Sequence, residues 1–202
     1  MCHLCKTKPV YEFTNKRKVC KTCYIRWFEK KFLYTIRKFE MLKKGDVVFY
    51  EEKKDFRNIV LEEVLKIVSK KGFVEITKKK KNNIAKFAIP LTIDFFSYEI
   101  INELINGNIG KIKNNQKIIF PLRLFLDKEV ELYAKLKGLK FEKDTKFSLF
   151  NPARPTQLRS RQSRSQINEQ RKFFENKVVE FIDELEIKHP EIKRAIVNGV
   201  LT

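Results

Sequence analysis

Glycine is scarce in this chain of 202 residues: there are six, and none lies between Gly45 and Gly72. A loop that curls successive backbone N–H groups round an anion relies on glycine for close approach. Residues 46–71 therefore hold no glycine-rich phosphate loop. Cysteine is absent after Cys23, so the four cysteines mark a local site and exclude a disulfide framework stapling a whole secreted fold. No apolar run approaches the roughly 18 residues that a membrane span needs. The chain opens on cysteines rather than on the apolar core of a signal peptide, and the expectation is a cytoplasmic protein without membrane attachment.

Acidic residues are outnumbered, with 25 Asp+Glu against 44 Lys+Arg, a net charge of +19. The isoelectric point near 9.8 follows from that imbalance. A field of this size in a short chain points to a polyanionic partner. Nucleic acid fits better than an anionic membrane, because the basic residues are spread over several segments and no lipid-anchor motif or basic amphipathic tail gathers them. Solubility alone is the plainer alternative. The hydrophobic content of 43% and aromatic content of 12% are those of a globular chain with a real core.

The cysteines form two pairs, Cys2-x2-Cys5 and Cys20-x2-Cys23. Such knuckles place four thiolates tetrahedrally round one ion, and zinc is the usual ion of closed four-thiolate sites. An iron centre or a redox dithiol pair is the rival, disfavoured because nothing nearby looks like a thioredoxin unit. His3 is read as solvent-facing rather than as a ligand. A site with four protein ligands has no open position for chemistry, so the expected zinc is structural. Lys16, Arg17, Lys18 and Lys21 make the ribbon basic. In the helical segment that follows, Ile25, Phe28, Phe32, Ile36 and Phe39 form the apolar stripe, while Arg26, Lys30, Lys31, Arg37 and Lys38 lie on other faces. Gly45 is expected to cap this helix. Residues 1–45 carry thirteen Lys+Arg and three Glu, so half of the excess charge sits on this quarter of the chain.

From Val47 on, strand-like and helical patterns alternate. "VVFY" reads as a strand and 56–69 as a helix with Ile59, Val60, Val64, Ile67 and Val68 on one face. "GFVEI" and "IAKFAIPLTI" read as strands, "KKKKNN" between them as a solvated turn, and "YEIINELINGN" as a helix ending at Gly107. "QKIIFPL" is a strand and "DKEVELYAKLKG" a helix closed by Gly138. This alternation argues for an α/β fold with a parallel sheet.

The order of two CxxC pairs, an aromatic basic helix, "MLKKGDVV" and later "IIFPLRLFLDKEVELYAKLKGL" resembles the TtuA and cytosolic thiouridylase group of PP-loop tRNA 2-thiolation proteins. The resemblance covers most of the chain, with Pro121, Leu122, Glu129, Tyr133 and Ala134 in family positions. It implies an N-terminal zinc ribbon ahead of a HUP-like domain that adenylates a tRNA uridine before sulfur is delivered. The departures are specific. Where the family reads SGGKDS, this chain has Glu51, Glu52, Lys53, Lys54, Asp55 and Phe56. Lys54 and Asp55 fall on the family's lysine and aspartate, but both glycines and both serines are gone. Further on, Asp94 survives from a GHNLDD-like element, while Pro90, Leu91 and Phe95 replace the glycine, the histidine and the second aspartate. The family's later cysteines have no counterpart. The short interval between the first helix and this element implies a truncated domain. Neither ATP nor an iron–sulfur cluster is expected.

Towards the C-terminus, "FNPARPTQLRSRQSRSQ" offers Arg154, Arg159, Arg161 and Arg164 with no acid until Glu169. Guanidinium forks bind phosphates bidentately and stack on bases, so this loop suits RNA; a solvated linker is the alternative. Ile167, Phe174, Val178, Phe181 and Leu185 mark an amphipathic helix that stops before Pro190, with His189 at its end, and a short final helix follows.

These readings divide the chain into a zinc ribbon (1–24), a connecting basic helix (25–45), a degenerate PP-loop-like domain (46–146), an arginine-rich loop (147–166) and C-terminal helices (167–202). The expected function is a non-catalytic tRNA-binding subunit resembling the inactive member of a thiouridylase pair. Its partners would be tRNA and a catalytic PP-loop subunit, or a second copy of itself. The alternatives are an active ATP-dependent thiolase with an altered loop, and an unrelated zinc-ribbon protein acting on DNA.

Overall fold

The computed structural model describes residues 1–79, 83–105, 117–142 and 177–201. Arg154, Arg159, Arg161 and Arg164, the turn at 80–82 and Gly107 lie outside the described residues. The chain begins with a hairpin, β1 (Tyr11–Glu12) antiparallel to β2 (Lys18–Val19). Helix α1 (Lys21–Lys38) follows at once, so the second cysteine knuckle runs into its first turn. The boundary expected between residues 24 and 25 thus falls inside a helix. Helix α1 ends at Phe39, whose N–H donates to the carbonyls of Thr35 and Arg37. Gly45 is not its cap. That glycine, with φ of +87°, instead makes the left-handed turn into the next strand.

Strand β3 (Val47–Tyr50) is buried at three of its four positions, as expected of a central strand covered on both faces. It is followed by α2 (Phe56–Ser69), β4 (Glu75–Thr77), β5 (Lys86–Ala88), α3 (Ile93–Ile105), β6 (Ile118–Ile119) and α4 (Asp127–Lys137). Residues 177–188 form α5 and Ile192–Leu201 form α6. The sheet runs β4-β3-β5-β6 and is parallel throughout, as the alternation of patterns implied. Two expectations shift. The apolar run at 84–93 holds only a three-residue strand, and α3 starts at Ile93 rather than Tyr98. Thr92 opens that helix, its carbonyl accepting the N–H of Phe96. Helix α4 ends as expected at Gly138, which takes φ of +71° in the left-handed region.

One hydrophobic core joins the ribbon, α1, α2, α4 and the sheet. Cys2, Val19 and Cys20 share it with Tyr24, Phe28, Val48, Val64 and Tyr133. Phe28 of α1 stacks on Tyr133 of α4 with ring centres 4.1 Å apart, and Phe125 lies 4.2 Å from the same ring. The Tyr24 hydroxyl donates to the Glu129 carbonyl at 2.8 Å. A second cluster packs Ile93, Phe96 and Ile100 of α3 against Leu126 and Val197 of α6. In α5, Val178 and Ile182 are buried against Tyr98, whereas Phe181, expected on the inner face, is 53% exposed. No helix among the described residues is long and apolar enough to cross a membrane.

Candidate functional site

The four cysteine sulfurs converge. All lie within 4.8 Å of one another, with Cys5 to Cys20 at 3.3 Å and Cys5 to Cys23 at 3.7 Å. The N–H of Lys6 donates to the Cys2 carbonyl and that of Tyr24 to the Cys20 carbonyl, which folds both knuckles tightly. Ligands to one tetrahedral ion with metal–sulfur bonds of about 2.3 Å sit about 3.8 Å apart. The observed spacing is therefore that of a single-ion site. Thiols this crowded cannot all ionise without a cation, and their acidities diverge. Hydrogen bonding, foremost from Thr7, holds the Cys20 thiol down at about 6. Burial, aided by the neighbouring cysteines, pushes Cys23 up to about 12. A bound cation would remove this conflict by favouring thiolate at every position. His3 is exposed.

The second region is the carboxyl edge of the sheet. Strand order reverses between β3 and β5, and in open α/β sheets the crevice at such a reversal is where ligands bind. Here the residues that follow β3 pair within the chain. Glu51 pairs with Lys53 at 3.0 Å, Glu52 with Lys78 at 2.6 Å and Lys54 with Glu142 at 3.0 Å. Asp55 caps α2: its carboxylate accepts the N–H groups of Arg57 at 3.0 Å and Asn58 at 3.2 Å. Free N–H groups at a helix start are what hold a phosphate in nucleotide sites. In this chain two of them already face a carboxylate.

Behind that cap runs a polar network. Arg57 grips Asp127 with two parallel hydrogen bonds of 2.7 and 2.6 Å, and Thr92 donates to the same carboxylate at 2.8 Å. The N–H of Asp127 donates to Asp94 at 2.7 Å. Lys193 of α6, 8% exposed, bridges Asp94, Asp183 and Glu186 at 2.8, 2.9 and 2.7 Å. Burial, then the charge of Asp127, lifts the Asp94 carboxyl above its ordinary range, against the pull of Lys193. A cavity of about 320 Å³ opens among Asp94, Tyr98, Asp127, Val179, Ile182, Asp183 and Lys193. Its rim carries three carboxylates and one ammonium, a poor setting for a polyphosphate.

No protein-family model matches the sequence, and no curated protein matches it. Among solved structures, the fold matches the U34-tRNA thiolase NcsA from Methanococcus maripaludis, determined with its [4Fe-4S] cluster. The TM-score is 0.67 at 17% identity, over 98% of this chain and 85% of that one. This chain shares the fold of that protein. The likeness supports the α/β architecture expected from the sequence, with the four-cysteine cluster at its N-terminal end.

The residues read as RNA-binding divide by position. Lys16, Lys18, Lys21, Arg26 and Lys30 are exposed and Arg17 is partly so. Lys18 reaches Glu12 at 3.4 Å, and Arg17 lies over the Phe13 ring at 4.9 Å. The four later arginines are outside the described residues. Sequence reasoning passed over Arg57, Asp127 and Lys193, whose partners are distant in the chain. It also took Glu129 only as a family position, whereas this carboxylate is fully buried and accepts from Lys31 at 3.1 Å, Arg194 at 2.6 Å and the Leu126 N–H at 3.0 Å.

Proposed function

We propose that this chain is a non-catalytic tRNA-binding protein that supports tRNA uridine thiolation in the cytoplasm, acting beside a catalytic PP-loop subunit or as a dimer. The observation that carries the reading is the charged, self-capped start of α2. Glu51 to Lys54 pair within the chain and Asp55 takes two of the helix's free N–H groups, which supports the loss of a place for a nucleotide phosphate. What remains is the net charge of +19 and a basic ribbon and helix. These suit a polyanion held by its backbone. The likeness to a U34-tRNA thiolase supports tRNA as that polyanion.

Zinc is the ion proposed for Cys2, Cys5, Cys20 and Cys23. Their close spacing suits one ion, whereas the thiolates of a four-iron cluster each bind a separate corner and stand farther apart. Iron–sulfur occupancy is the second reading, favoured by the cluster in the NcsA structure; metal analysis with a visible spectrum separates the two. The RNA role is tested by titrating the protein with tRNA and with duplex DNA at matched salt. Preference for tRNA, with affinity falling steeply as salt rises and Arg26→Glu plus Lys30→Glu weakening it, is the expected result. Equal affinity for both would favour a general nucleic-acid binder, and no tRNA binding at low salt would sink the proposal.

A further inference from the structure

Helix α1 carries a ladder along its outer face. Arg26, Lys30, Tyr34 and Lys38 follow at intervals of four, with Arg37 beside them, and all five are exposed. Side chains four apart lie one above another on a helix, so these form a stripe about 18 Å long. Its one acid, Glu29, faces inward, accepting from the Tyr133 hydroxyl at 3.1 Å and from Lys137 at 3.1 Å. Among the described residues none of the four cations is drawn into an ion pair.

Tyr34 stands out within this stripe. Of the chain's six tyrosines it is the exposed one, at 51%, the other five being buried or half-buried. Among the described residues its ring has no aromatic neighbour and its hydroxyl no hydrogen-bond partner. An exposed ring set among cations, with no carboxylate on the same face, has the two features by which single-stranded nucleic acid is held: a flat surface on which a base stacks and charges that follow the backbone. We propose that the outer face of α1 binds an unpaired RNA strand, with Tyr34 stacking on one base and Arg26, Lys30, Arg37 and Lys38 contacting the flanking phosphates. Duplex RNA keeps its bases stacked inside and offers the ring nothing, so the site selects a loop or a frayed end. This inference rests on the RNA-binding reading above and sharpens it to unpaired nucleotides.

The test compares the full chain with Tyr34→Ala and Tyr34→Phe on three probes: an oligouridylate, an abasic ribose-phosphate strand of equal length, and a blunt RNA duplex. Tyr34 is outside the core, so both variants should keep the far-ultraviolet dichroism and metal content of the parent. The expected result is that Tyr34→Ala weakens oligouridylate binding about ten-fold while its salt dependence stays the same. Binding of the abasic strand and duplex should not change, and Tyr34→Phe should restore the parent affinity. Unchanged oligouridylate binding by Tyr34→Ala, or an equal loss on the abasic strand, would overturn the stacking role and leave tRNA binding standing. A parent chain that binds none of the probes and no tRNA would overturn both readings.

Discussion

Glu129 shows how far one residue organises this protein. It is fully buried, yet it ties α4 to α1 through Lys31, to α6 through Arg194 and to its own helix start through the Leu126 N–H. Removing one partner of a buried ion pair strands the other, so Glu129→Gln should lower unfolding stability by about 3–5 kcal/mol in urea titrations. Lys31→Met should be near neutral, because Arg194 still compensates the carboxylate and the apolar side chain suits a site between Trp27 and Phe125. Burial depresses the Lys31 ammonium to about 8, outweighing the attraction of Glu129. The unfolded chain therefore holds this proton more tightly than the folded one between pH 8 and the ordinary lysine value of 10.5. Stability carried by this group should rise with pH across that window. The stability of the parent relative to Lys31→Met should consequently increase as pH rises across that window, and a constant difference would contradict the assignment. None of this was legible in the sequence, which placed Lys31 on a basic outer face. Helical spacing gives a residue's angle on its own helix, but not a carboxylate 98 positions away.

Elements were easier to read than their ends. The alternation of strand and helix, the parallel sheet and the glycine stop of α4 follow from local pattern and turn chemistry. The start of α3 did not, because the β-prone residues before it gave no helical period, and Thr92 with the Phe125 carbonyl fixes the start through tertiary contact. Strand lengths were overestimated for the same reason, since hydrophobic runs continue past the point where pairing stops. At the start of α2, the odd charged joint was visible in the sequence, while its internal pairing was not. Asp55 is there the cap of the helix. Asp55→Ala should therefore cost about 1 kcal/mol of stability, with Asp55→Ser recovering most of it. Equal stability of all three proteins would show that the cap contributes nothing.

For the whole molecule, the ribbon and the sheet domain are one packed unit, because Cys2, Val19 and Cys20 lie in the same core as the sheet residues. The cysteine spacing was plain from sequence; its sharing of a core with α1 and α4 was not, since contact order cannot be read from composition. Metal loss should accordingly loosen more than the hairpin. Cys20→Ser should release the ion and also expose Trp27, read as a red shift of its fluorescence. Full metal content with an unshifted spectrum would contradict the closed four-thiolate site. At the same scale the chain joins a net charge of +19 to a helix start at the sheet's carboxyl edge that Asp55 caps. The most direct test is calorimetric titration of the purified, metal-loaded chain with Mg-ATP, alone and in the presence of tRNA. The account predicts heat from tRNA binding and none from Mg-ATP in either case. Saturable, stoichiometric binding of Mg-ATP would contradict it.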